Sequence, residues 1–197
     1  SYGPTKWAVD CEKEKHMIKA IILDVDGVIV GEKIGYNSPY PHPDVLKALK
    51  MAREKGIAVA LCTAKPYYAL SEIIKGANLH NPHITDAGAV IVDPIDNIVV
   101  EEHVIDKNLV KEILQLCLDN KVYTEFYTVD KYYVQYSQTT DITEKHTHIL
   151  QRPPQNLRNI VEESVAYDVT KIMPIALNNE DKERVSNILN PYKDKLS

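Results

Sequence analysis

An apolar run, Ile21-Ile22-Leu23, delivers two carboxylates one residue apart into a glycine turn, Asp24-Val25-Asp26-Gly27-Val28. Side chains alternate along a strand, so a strand here puts Asp24 and Asp26 on the same side of the backbone. Both then emerge at the carboxyl end of a buried strand, where open α/β sheets place their ligands. Two like charges that close are costly unless a cation shares them, so the pair implies a metal. The arrangement suits a Mg²⁺-assisted phosphoryl transfer in which one aspartate attacks the phosphorus. The sequence points to an enzyme.

The surrounding pattern supplies a sheet for that turn. Ile18 to Val25 is a near-continuous apolar run, as expected of a strand buried on both faces of a parallel sheet. A loop from Val30 to Pro43 follows, broken by Gly31, Gly35, Pro39, Pro41 and Pro43. Asp44 then serves as a helix N-cap or first-turn acid; Val45, Leu46, Leu49 and Ala52 share one helical face, and Gly56 stops the helix. Ile57 to Cys62 reads as a second buried strand and Tyr67 to Lys75 as a second helix. Strand, helix, strand, helix predicts a right-handed βαβ unit.

After Gly88 the texture changes. Val90–Val92 and Ile98–Val100 flank a turn and predict a hairpin. A helix is expected over Lys107 to Asn120, then a second hairpin from Val122–Thr128 and Tyr132–Tyr136, with its tyrosines packing across the strands. A polar linker holding Pro153-Pro154 leads to a short helix over Asn156–Glu163, a strand over Lys171–Leu177 and a last helix over Asp181–Leu189. The expected organisation is a leader over 1–16, a parallel α/β unit over 17–86 and an α+β unit over 87–197.

Bulk properties narrow the function. At 197 residues the chain is long enough for one large domain or two small ones, and 44% hydrophobic with 26% charged residues is ordinary for a globular protein. A formal net charge of −5, with no Lys/Arg run, argues against nucleic acid or an anionic membrane as partner. The apolar runs fall far short of the ~20 residues needed to cross a bilayer, and Glu12-Lys13-Glu14-Lys15 is too polar for a signal peptide. Cys11, Cys62 and Cys117 are scattered, which reads as a reduced, cytoplasmic protein.

Three segments together carry a resemblance. Asp24-Val25-Asp26-Gly27-Val28 fits a first motif of the form D-x-D-G-[TV]. Leu61-Cys62-Thr63-Ala64-Lys65-Pro66 fits a second, a strand ending in Thr, usually T-G-R-P. Thr85-Asp86-Ala87-Gly88-Ala89-Val90-Ile91 is similar to the N-G-A segment leading into a cap. The chain resembles the haloacid dehalogenase (HAD) superfamily, in its Cof-like and sucrose-phosphatase-like branch. The resemblance implies a Rossmann-like parallel core, partly present, with an α+β cap. It implies Asp24 as nucleophile, Asp26 as general acid then base, and Mg²⁺ on the Asp24 carboxylate and the Asp26 carbonyl. Thr63, Ala64 and the Gly27 N–H would bind phosphate, and a small phosphorylated metabolite, sugar phosphates first, would be the substrate.

Rivals to that reading are few. An acidic pair after a strand can be plain turn chemistry, and glycosyltransferases use a D-x-D pair to hold a metal–nucleotide. A calcium loop would need further acids at fixed offsets, where Val28, Val30 and Ile34 stand. His80 with His83, and His146 with His148, read as solvated loop imidazoles rather than metal pairs. Tyr67 and Tyr68 either lie near substrate or start the helix. The chain also departs from the family. Ala87 stands where Asn is usual, and neither the phosphate-binding Lys motif nor the G-D-x-x-[ND] motif appears; Lys171, inside an expected cap strand, is not given the lysine role. A fragment is therefore expected, with an exposed sheet edge and an uncovered apolar face. The alternatives are a phosphomutase, or a non-catalytic module that binds a phospho-ligand or completes a partner chain.

Overall fold

The computed structural model describes residues 18–31 and 38–195. The expected leader, Cys11 and Gly35 lie outside these. The chain has the predicted α/β character, built as two sheets with helices packed against them.

The first sheet starts with β1 (Ala20–Leu23) and β2 (Ala58–Leu61), parallel, with Ala20 opposite Ala58 and Leu23 opposite Leu61. They are joined through α1 (Pro43–Glu54), which is the predicted βαβ unit. Asp44 sits in the first turn of α1; the N-cap is His42, whose ring nitrogen accepts from Asp44 N. Leu49 is buried, with Val45, Leu46 and Ala52 against the same core, as the periodicity requires. The second helix is divided: a 3-10 turn over Tyr67–Leu70 leads into α2 (Ser71–Ala77).

A third strand, β3 (His83–Thr85), was not expected. It extends the sheet on the far side of β2, through a parallel bridge from Cys62 to Ile84 and a bond from Thr63 N to Ile84 O at 3.0 Å. It then pairs antiparallel with β4 (Val90–Asp93), which pairs with β5 (Ile98–Glu102) as the predicted hairpin. Three residues are too few for any period to show, and on one side their backbone partner is β2, about twenty residues away in sequence.

The second sheet has the order β8-β7-β6-β9. β6 (Tyr123–Tyr127) and β7 (Tyr132–Gln135) form the second predicted hairpin. β9 (Lys171–Ile175) lies antiparallel to β6, and β8 (Gln155–Leu157) parallel to β7. α3 (Lys107–Asp119) packs on the face carrying Phe126 and Tyr133, with α5 (Ile160–Glu163) beside it; α6 (Asn179–Leu189) adds Val185 to a neighbouring cluster. Phe126 stacks on Tyr133 and Tyr127 on Tyr132, at centroid separations of 4.7 and 5.5 Å, so these tyrosines pack across the strands, whereas Tyr136 is exposed.

Three expectations are corrected. β1 is not buried on both faces: Ile18 and Ile22 are 67% and 64% exposed, because among the described residues nothing covers that face. The helix expected over Asn156–Glu163 is β8 followed by the shorter α5, which starts behind an Asn159 N-cap. The polar linker hides a helix, α4 (Asp141–Leu150), capped by a reciprocal Thr140–Thr143 box. Its inward face is mixed: Ile142 and Leu150 join the core, but between them His146 Nδ1 lies 2.9 Å from Glu125 Oε2 and Thr143 lies 2.8 Å from the Tyr123 hydroxyl. Apolar periodicity could not reveal it.

Candidate active site

Three parallel strands end on the same side, and the motif residues lie just beyond those ends. β1 stops at Leu23, so Asp24 and Asp26 stand in the turn that follows rather than in the strand. That turn winds around one carbonyl: Val25 O accepts from Ile29 N and Val30 N at 3.0 and 2.9 Å. Val25 itself is wholly buried, which anchors the turn to the core. Both aspartates are exposed. Asp24 Oδ1 accepts from Val25 N at 2.6 Å, and Asp26 Oδ1 lies 3.1 Å from Lys65 Nζ.

Gly27 adopts φ +76°, a conformation that suits glycine. Its N–H donates to Val30 O at 2.8 Å. That bond closes the turn, so the expectation that this N–H is directed at phosphate is corrected. Asp26 N and Ala64 N, by contrast, have no acceptor among the described residues. They are the backbone donors the site has available.

Thr63 follows β2 and is buried. Its Oγ1 accepts from Lys65 N at 3.2 Å, which leaves the hydroxyl proton to donate elsewhere. Lys65, to which the sequence reading gave no role, is only 8% exposed and carries its charge to Asp26. The signal was present: Lys65 occupies the Arg position of the T-G-R-P pattern.

The turn after β3 closes the site from behind. Asp86, Ala87 and Gly88 have φ of +52°, +60° and +100° in succession. Asp86 N donates to Lys65 O at 3.0 Å, and Ala87 N to Thr63 O at 3.2 Å. The Asp86 side chain is buried, and burial raises its pKa to about 6 against the pull of Lys171, whose ammonium is 3.6 Å away. Among the described residues, Asp86 Oδ1 and the Tyr68 hydroxyl are buried without hydrogen-bond partners. A cavity of about 580 Å³ opens behind this turn, lined by Gly88, His103, Asp106, Lys171 and Lys195 among others. Asp24, Asp26 and Thr63 do not line it.

The remaining candidates separate cleanly. His83 is fully buried and accepts from Leu61 N at 3.1 Å; burial lowers its pKa to about 4. His146 is tied to Glu125. Neither is a solvated loop imidazole, and among the described residues no group of three or more His, Cys, Asp or Glu side chains is placed to hold a metal. The donors at the β1 turn are therefore two carboxylates and the Asp26 carbonyl, which accepts from no described residue. That set is too small for a closed cage. It fits Mg²⁺, which keeps several waters and takes one or two carboxylates together with substrate phosphate.

The sequence pattern of the haloacid dehalogenase-like hydrolases matches residues 21–197. The chain belongs to that family. Its fold is similar to a haloacid dehalogenase-like hydrolase from Bacteroides thetaiotaomicron (TM-score 0.75, 15% identity, 91% of this chain and 66% of that one). It is similar also to a HAD subclass IIB sugar phosphatase (0.69, 22%, 87% and 64%) and a HAD/COF-like hydrolase from Plasmodium vivax (0.72, 20%, 89% and 62%). The chain thus spans a little under two thirds of the length of these relatives. No curated protein sequence matches it. No helix among the described residues is long and apolar enough to cross a membrane.

Proposed function

We propose that the chain carries the nucleophile-bearing part of a Mg²⁺-dependent phosphomonoesterase that acts on a small phosphorylated metabolite, sugar phosphates first. Residues 17–86 would form the core portion and 87–197 the cap that closes over it, excluding water and selecting the leaving group. A reduced, cytoplasmic setting accords with free thiols at Cys62 and Cys117. One observation carries the reading. An exposed carboxylate pair at the end of β1 stands beside a buried threonine hydroxyl, two N–H groups without an acceptor among the described residues, and a buried lysine from the loop after β2.

Asp24 attacks phosphorus; a carboxylate–phosphorus bond forms as the ester P–O bond breaks. Val25 N fixes the carboxylate rotamer by holding Oδ1. Asp26 gives its proton to the departing alcohol, then takes one from the water that attacks the aspartyl-phosphate, releasing phosphate and restoring Asp24. Lys65 holds one Asp26 oxygen and leaves the other for this proton traffic. The Thr63 hydroxyl and the Ala64 and Asp26 N–H groups bind the phosphoryl oxygens. Mg²⁺ on Asp24 and the Asp26 carbonyl would neutralise charge on those oxygens.

The test is Mg²⁺-dependent phosphate release from a panel of sugar phosphates, with Asp24→Asn as control. Release that the substitution abolishes establishes the nucleophile. Folded, metal-loaded chain that binds phosphate without turnover would instead be a phospho-ligand-binding module. Isomer formation driven by a bisphosphate, with little free phosphate, would mark a phosphomutase.

A further inference from the structure

Three consecutive carbonyls in the loop that carries Thr63 are each held from behind. Thr63 O and Lys65 O accept from backbone N–H groups of Ala87 and Asp86. The middle one, Ala64 O, accepts from Lys171 Nζ at 2.6 Å. Lys171 belongs to β9, in the other sheet. Its ammonium also lies 3.6 Å from Asp86 Oδ1 and 4.0 Å from the centroid of the Tyr127 ring. The side chain is 14% exposed, so a charge has been carried into the gap between the sheets to reach this loop.

A peptide is planar and trans, so its C=O and N–H point in opposite directions. Fixing Ala64 O therefore aims the Lys65 N–H, and that N–H donates to Thr63 Oγ1 at 3.2 Å. A bond from the second sheet thus reaches the Thr63 hydroxyl through one rigid plane. Oγ1, occupied as an acceptor on that side, has its proton left to donate outward. Asp86 does two things here: its backbone holds Lys65 O, and its carboxylate is the counter-ion that lets Lys171 stay charged while buried.

We propose that Lys171 is a positioning residue for the phosphate donors: docking of β9 on the Thr63–Lys65 loop sets the orientation of the Thr63 hydroxyl. This rests on the reading of Thr63 as a phosphate ligand. Lys171 itself touches neither phosphate nor leaving group. The dependence of phosphate binding on the second sheet is then mechanical, and independent of what alcohol is attached.

The experiment compares wild type, Lys171→Met and Lys171→Met/Asp86→Asn, the last leaving no buried carboxylate without a partner. Amide hydrogen exchange is read at Lys65, and Mg²⁺-dependent turnover with p-nitrophenyl phosphate and with a hexose 6-phosphate. Lys65 exchange is expected to accelerate by about tenfold or more in both variants. The two substrates should lose the same factor in kcat/KM, roughly 10- to 100-fold, the range that slight misplacement of a binding group produces. In a Thr63→Val background the Lys171→Met loss should vanish, and Lys171→Arg should restore part of it. Unchanged Lys65 exchange overturns the proposal, as does a loss confined to the hexose phosphate, which would place Lys171 on the leaving group. Accelerated exchange with no turnover in any form, wild type included, would sink the phosphatase reading and leave the positioning role standing.

Discussion

The acids that follow β1 and the acid inside β6 are treated in opposite ways. Within β6, Glu125 is wholly buried and its oxygens accept from the Tyr123 hydroxyl at 2.9 Å and the Tyr127 hydroxyl at 2.6 Å, with His146 against both. After β1, Asp24 and Asp26 are exposed, and each has a single partner among the described residues. A buried charge needs partners, and partners occupy lone pairs. A carboxylate so occupied has nothing left for a metal, a phosphorus atom or a proton. The chemically available acids are the uncovered ones, and the deeply buried acid is part of the packing.

The strands that carry them differ in the same sense. β6 is buried at every position, whereas no residue of β1 is fully buried. Phe126→Ala should therefore cost about 3–5 kcal/mol in urea denaturation, and Ile22→Thr less than about 0.5 kcal/mol. A large loss at Ile22 would break the contrast and show that the outer face of β1 is covered in solution. Next in size, Glu125→Gln should cost about 2 kcal/mol, since an amide cannot accept from all its present donors. Asp26→Asn should cost under about 1 kcal/mol, the usual limit for a half-exposed ion pair, yet lower turnover about 10²-fold or more. If both substitutions acted on stability alone, the division between packing acid and working acid would fail.

A finer test uses β3 and the turn after it, where two groups titrate in opposite senses. His83 has its folded pKa depressed to about 4, so its contribution is present above the unfolded value of 6.5 and is lost as pH falls toward 4. Asp86 has its folded pKa raised to about 6, so its contribution is present below the unfolded value of 3.8 and is lost as pH rises through 6. Between about pH 4 and 6 the two oppose each other. Relative to wild type, His83→Gln should make stability fall more steeply with rising pH, and Asp86→Asn should make it rise. Urea denaturation across that window reads both slopes, and parallel slopes would refute the opposition. In the turn that follows, Ala87→Gly should gain about 0.5–1 kcal/mol, because Ala87 sits at φ +60°.

What the sequence made legible follows from the same contrast. Apolar periodicity and turn chemistry are local, and they located β1, β2, α1, both hairpins and α3. The acids of the first motif were readable from their spacing behind an apolar run, and Thr63 from the resemblance of the second motif; the fold brings them to neighbouring strand ends. α4 was not, since Thr143 and His146 interrupt the apolar face that Ile142 and Leu150 begin and end, and their partners Tyr123 and Glu125 lie about twenty residues away. The Gly27 N–H was misassigned because donor occupancy depends on how the turn closes onto Val30. Lys171 was placed on the right strand, yet its contact with Ala64 spans 107 residues and leaves no pattern in the sequence.

The three carbonyl anchors of the Thr63 loop also differ in how mutation can reach them. Two are backbone N–H groups, from Asp86 and Ala87, which every amino acid but proline supplies. Sequence drift at those positions leaves the anchors in place provided the left-handed turn survives. The third anchor is a side chain, and one codon change removes it. Heritable adjustment of this loop is thereby concentrated at position 171, on a different sheet from the residues it adjusts.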